Sequence, residues 1–327
     1  MAEPRTLAMR DVFIEGLAAR MADDDSIYFL SADFGAPALD AVREKYADRF
    51  INVGIAEQNL ISVATGLALE GYVVYAYGIA PFLSMRCYEQ IRINLALLAQ
   101  TRPLNVNLIS VGAGISYDVS GPTHHCIEDL SIIRTLPNIT VFSPSDWVLA
   151  KRCVEYSVRV CQPKYLRFDG KLLPGLYDEA QLEDFDKGFA ELALGDQVCL
   201  VSTGYVTHQA LRMRDALRAR GVTVGVIDVY LLRPLDESAF AAALARYKTV
   251  LTMEEGFVGK GGLDSLVTTL ASRHGLPVRC QGFGFSDTYH FENGDRRSLQ
   301  QLYGFDEDLI MASAVDACKG ITRVVTP

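Results

Sequence analysis

Apolar positions along the first 170 residues alternate between two rhythms. Short continuous runs rich in branched and aromatic residues, at 26–32, 72–77, 104–111, 139–142 and 164–168, read as buried strands. Between them, 10–22, 56–70, 82–100, 127–135 and 145–158 carry the spacing of helices with one apolar face. Alternation at this spacing predicts a mainly parallel sheet with helices on both faces. Residues 173–195 break the rhythm, with Pro174, Gly175, Gly188 and the acidic Glu183, Asp184 and Asp186, and read as a linker with short strands. The alternation restarts with strands at 198–202, 222–229, 249–253 and 277–280 and helices at 205–220, 236–246 and 261–274. The expectation is an α/β protein of two domains, 1–172 and 196–327, joined by 173–195.

Composition narrows the class. The chain has 327 residues, 50% hydrophobic and 22% charged, a balance suited to two globular cores. Its most apolar stretch, 60–83, is interrupted by Glu70, Gly71, Gly78 and Pro81, which marks a core helix and strand and not a membrane span. A net charge of -9 without a long basic run argues against a nucleic-acid partner. Seven cysteines without a CxxC or a metal-ligand spacing, and an N-terminal region carrying Glu3, Arg5, Arg10 and Asp11 with no apolar core, point to a reduced, cytoplasmic protein.

In parallel sheets, ligands gather beyond the carboxyl ends of the strands. Asp33, residues 78–82, the Gly-rich loop 112–126 and Arg167 all fall at or just after such ends. Glu57, in Gly54-Ile55-Ala56-Glu57-Gln58-Asn59, heads the apolar run Leu60, Ile61, Val63, Ala64, Leu67. Two readings fit it. A desolvated carboxyl favours its protonated form and can give and take a proton; an acidic first-turn residue also complements the helix dipole. Likewise, His124 and His125 in Gly121-Pro122-Thr123-His124-His125-Cys126 can either meet a substrate oxygen or lie in a solvated loop. No second ligand group stands at a zinc-like spacing.

These motifs in order, together with Phe82-Leu83-Ser84-Met85-Arg86-Cys87-Tyr88-Glu89-Gln90-Ile91-Arg92 and Leu136-Pro137-Asn138, resemble the transketolase family over most of the chain. The resemblance implies the pyrimidine-binding and C-terminal domains of a thiamine-diphosphate enzyme. It implies that Glu57 hydrogen-bonds the aminopyrimidine ring and promotes the form that deprotonates the thiazolium carbon. By the same resemblance Phe82 packs on that ring, and Asp33 lies near it and the subunit interface. His124, with His125 beside it, handles the substrate hydroxyl, and Arg167 binds a substrate phosphate.

Two departures qualify the match. The Gly-Asp-Gly signature of the diphosphate- and Mg2+-binding domain is absent from the sequence. The resemblance then implies that those ligands come from a partner chain, as in a split transketolase assembled as an α2β2 heterotetramer. The substrate loop also differs. Where the sugar-phosphate enzymes carry a histidine and an aspartate, this chain has Gly112 and Ser120; a serine becomes Ala38, and the first pocket phenylalanine becomes Ile79. Each lost charge-assisted hydrogen bond removes about 1.5–3 kcal/mol of phosphate binding. The expectation is an unusual sugar, or a smaller or non-phosphorylated acceptor. Competing readings are a 2-oxo acid enzyme, like deoxyxylulose-phosphate synthase or a dehydrogenase β-subunit, and a non-catalytic scaffold subunit.

Overall fold

The computed structural model describes residues 5–178 and 182–321. They fall into two compact units that divide between Glu183 and Asp184, with the short stretches Asp118–Pro122 and Ser143–Ser145 grouped with the second.

The first unit runs β1 (Thr6–Ala8), α1 (Met9–Asp23), β2 (Ile27–Ser31), α2 (Pro37–Lys45), β3 (Phe50–Asn52), α3 (Glu57–Leu69), β4 (Val73–Ile79), α4 (Tyr88–Gln90), β5 (Asn105–Val111), α5 (Asp129–Ile133), β6 (Thr140–Phe142), α6 (Trp147–Arg159), β7 (Lys164–Phe168) and β8 (Leu172–Pro174). Six strands pair in the order β6-β7-β5-β4-β2-β3, all parallel. Central β5 is buried along its whole length, as a strand covered on both faces must be. Helix α1 buries Met9, Phe13, Ile14, Leu17 and Met21 along one stripe. Its Gly16 lies where a Cβ would stand 3.1 Å from the Val154 side chain, so α1 and α6 approach closely there. Asp146 caps α6 by accepting from the Leu149 N–H at 2.8 Å.

One expectation fails in form. Residues 82–100 are not a single α-helix: Phe82–Arg86 and Ile91–Leu97 are π-helical, with α4 between them and a 3-10 turn at Leu98–Gln100. Ser84 explains part of this. Its hydroxyl donates to the Ala80 carbonyl at 2.7 Å, a back-bond that competes with the regular helical ladder. Helix α2, not anticipated from the sequence, buries only Leu39 and Val42, too few to leave a periodic signal.

The second unit contains β9 (Phe189–Ala193), β10 (Val198–Ser202), α7 (Val206–Ala219), β11 (Val224–Val229), β12 (Leu231–Arg233), α8 (Glu237–Leu244), β13 (Thr249–Phe257), α9 (Leu263–Arg273), β14 (Arg279–Phe285), α10 (Arg296–Leu302) and α11 (Glu307–Cys318). Its sheet has the order β14-β13-β10-β11-β9, parallel except for β9, which lies inside the expected linker and forms an antiparallel edge. Before α9, Gly259 (φ 76°) and Gly261 (φ 100°) take left-handed conformations. A Cβ on Gly262 would collide with the buried Glu254 carboxylate. These are turn glycines by necessity. Among the described residues no helix is long and apolar enough to cross a membrane.

Candidate active site

Two strand ends of the first unit, those of β2 and β3, set Glu57 in place. Asn52, at the end of β3, accepts from the backbone N–H groups of Asp33 (3.1 Å) and Gly54 (3.0 Å) through one side-chain oxygen. Its amide donates to the Asp33 carboxylate at 2.9 Å. Asp33 sits at φ 56° and Gly54 at φ 74°, so the chain turns sharply into α3. Glu57 opens that helix with its carboxyl 6% exposed, while Leu60, Ile61, Ala64 and Ala68 hold the helix to the core. Asp33 is thereby fixed as a turn residue beside the Glu57 loop, and its side chain is exposed.

Phe82 and Arg86 follow β4, four residues apart on one helical face. The Arg86 guanidinium lies 4.5 Å from the Phe82 ring centroid and donates to Glu57 Oε2 at 2.8 Å. The His124 ring meets Phe82 edge-on, with centroids 5.2 Å apart. Glu57, Arg86, Phe82 and His124 therefore form one contiguous group. Ile79 is half-buried at the end of β4, three residues before Phe82. Burial pushes the neighbouring Cys87 thiol up to about 12, with the Glu57 charge adding to the effect. It stays a thiol at neutral pH and offers no competing nucleophile.

His124 owes its position to a closed loop. The backbones of Gly114 and Cys126 exchange hydrogen bonds of 3.0 and 2.7 Å, an antiparallel bridge that returns the chain to the end of β5. Gly112 takes φ 109°, and a Cβ there would strike the Tyr117 ring. Thr123 Oγ1 lies 3.1 Å from His124 Nδ1, which leaves Nε2 as the ring nitrogen not engaged by Thr123.

Several expected site residues lie elsewhere. Arg167, expected to hold a phosphate, is 4% exposed. Its Nε donates to Asp129 Oδ2 at 2.7 Å and its Nη2 to the Cys126 carbonyl at 3.2 Å. Tyr165 donates to the same Asp129 oxygen at 2.8 Å. Desolvation alone would lower the guanidinium pKa, but the Asp129 charge outweighs it and the net shift is upward. A buried arginine needs a counter-charge, and Asp129 supplies it; Arg167 therefore serves the loop. His125 is 2% exposed, whereas His124 is half-buried and its ring borders Phe82. Ser120 is exposed on a turn that belongs to the second unit. Arg86 and Asn52 were not singled out from the sequence. An arginine at i+4 from an aromatic, and an asparagine two residues before a turn glycine, are the signals that mark them.

The chain matches the family models for the transketolase pyrimidine binding domain at residues 5–175 and the transketolase C-terminal domain at 190–310. The chain belongs to the transketolase family. It is 33% identical over 273 residues to one of the subunits of an apulose-4-phosphate transketolase from Actinobacillus succinogenes, covering 83% of this chain and 86% of that one. Against 1-deoxy-D-xylulose-5-phosphate synthase of Aquifex aeolicus it is 32% identical, covering 85% of this chain but 43% of the synthase. A solved structure, "Split gene transketolase, inactive beta4 tetramer", superposes with a TM-score of 0.84 at 28% identity, covering 96% of this chain and 99% of that one. As a family, transketolases depend on thiamine diphosphate, and Glu57, Phe82 and His124 belong to the domain named for the pyrimidine.

The residues present fit that ring. A planar group carrying N–H donors, the Arg86 guanidinium, already lies over the Phe82 ring and bonds the buried Glu57 carboxylate at once.

Proposed function

We propose that this chain is one subunit of a thiamine-diphosphate-dependent transketolase that moves a two-carbon ketol unit from a ketose or ketose-phosphate donor to an aldehyde acceptor. The observation that carries this reading is the Glu57–Arg86–Phe82–His124 group: a buried carboxyl bridged by Arg86 to an aromatic face that meets an imidazole. Bound thiamine diphosphate supplies a nucleophilic carbon for breaking and making a carbon–carbon bond beside a carbonyl. The chain does the rest. Glu57 holds a proton at a ring nitrogen and takes it back, in surroundings that exclude water. Phe82 presents the face on which the ring lies, and Ile79 and Asp33 border it. His124 Nε2 meets the substrate hydroxyl, with Thr123 on Nδ1 orienting the imidazole.

In this reading a second chain of the cytoplasmic complex holds the diphosphate and Mg2+, in an α2β2 assembly. Support comes from coverage. The chain is similar to a relative that is itself one subunit of a transketolase, over 86% of that relative's length. With Arg167 committed to Asp129, a phosphorylated substrate takes its contacts from other groups. The likeness to the deoxyxylulose-phosphate enzyme keeps 2-oxo acid chemistry as the second reading. Incubating the assembled enzyme with ketose phosphates, hydroxypyruvate and pyruvate, each with an aldehyde acceptor, separates the two. Two-carbon transfer from a ketose or hydroxypyruvate is expected; condensation and carbon dioxide release from pyruvate alone would establish the second reading instead.

A further inference from the structure

We infer that Arg86 is the resident occupant of the ring seat in this chain, a placeholder that the cofactor's ring must displace. The inference rests on the cofactor reading above and goes beyond it, by giving a role to a charged side chain in contact with both Glu57 and Phe82. A guanidinium is flat, carries N–H donors in its plane and stacks on aromatic faces. Arg86 brings these properties to both groups at once: its guanidinium carbon lies over the Phe82 ring, 4.5 Å from the centroid, and Nη1 donates to Glu57 Oε2. Those are the two contacts assigned to the aminopyrimidine. The Glu57 side chain is 6% exposed, so a group bonded to its carboxylate sits in a largely dry place.

The backbone shows what moves. The Arg86 carbonyl accepts from the Gln58 side chain at 3.1 Å, which ties the start of α3 to the end of the first π-helical segment. The main chain is anchored, whereas the side chain is 47% exposed and has a route to water. A ring entering the seat therefore exchanges places with a long, solvated arm and requires no backbone shift. Without a ring, the guanidinium spares Glu57 the cost of a buried, uncompensated charge. With the ring in place that service is redundant. Arg86 thus acts as a competitor inside the site, and its removal strengthens ring binding.

The test uses the full-length chain and thiamine as the probe, titrated by ligand-observed NMR into the unsubstituted chain, Arg86→Met, Arg86→Lys and the pair Arg86→Met with Glu57→Gln. Arg86→Met is expected to bind thiamine about tenfold more tightly than the unsubstituted chain. Arg86→Lys, which keeps the charge but loses the flat stack, should fall between them, and it carries the test if the methionine variant melts early. Adding Glu57→Gln should erase the gain. Equal or weaker binding by Arg86→Met, or no binding by any form, overturns the placeholder. The cofactor reading survives that result, because it stands on Glu57 turnover. A gain that persists without Glu57 places the ring elsewhere and overturns both.

Discussion

Glu57→Gln is expected to lower turnover of the assembled enzyme by about a thousandfold and to leave the fold intact. Positioned proton transfer contributes roughly 10²–10⁴ in rate, and a glutamine amide keeps the shape of the side chain but cannot hold and return a proton. The stability cost is small for two reasons. Asn52, Gly54 and the buried stripe of α3, not the carboxylate, build the turn and helix. The ion pair that is lost has a half-exposed partner, and such pairs contribute about 0–1 kcal/mol. The checks are kcat of the reconstituted complex and the circular-dichroism melt of the chain. Turnover within tenfold of the unsubstituted enzyme contradicts the role given to Glu57; a collapsed melt would mean the carboxylate is structural.

Arg167→Met is expected to destabilise the first unit by about 3–5 kcal/mol and to reduce turnover with it. Removing one partner of a buried ion pair leaves the other charge uncompensated, and Asp129 is 1% exposed. The substitution also removes one of the two hydrogen bonds to the Cys126 carbonyl, two residues from His124, and leaves the one from the Gly114 N–H. Adding Asp129→Leu should recover much of the stability, since no orphan charge then remains. It should recover little of the turnover, because the hydrogen bond from Arg167 to the Cys126 carbonyl beside the His124 loop is still missing. Urea denaturation followed with kcat and KM on a phosphorylated and a non-phosphorylated acceptor tests this directly. A phosphate ligand would raise KM for the phosphorylated acceptor alone and leave the urea midpoint nearly unchanged. A strut lowers the midpoint and affects both acceptors alike.

The contrast between Glu57 and Arg167 shows what a sequence displays. Around Glu57 the informative neighbours are adjacent: a turn glycine at Gly54, then apolar residues at helical spacing, so burial and position were both legible. Arg167 takes its meaning from Asp129, 38 residues away, which only the fold brings within 2.7 Å. A family likeness supplied a phosphate role, whereas the fold pairs the guanidinium with Asp129 and the Cys126 carbonyl. The burial of His125 was hidden for a related reason. Adjacent residues in a loop face different ways, and a Gly114–Cys126 bridge decides which is buried. The two sheets were readable because buried parallel strands are continuous apolar runs bounded by turns. Helix α2 and the π-helical segments were not, the former for lack of a buried stripe and the segment Phe82–Arg86 in part because the Ser84 back-bond competes with the helical ladder.

The central claim is that Glu57 belongs to a site this chain completes only with a partner. Its most direct test is calorimetric titration of thiamine diphosphate with Mg2+ into the chain alone and into the chain assembled with its diphosphate-binding subunit. At least about a hundredfold tighter binding is expected on assembly, lost again when that assembly carries Glu57→Gln. Tight binding and turnover by the isolated chain would contradict it.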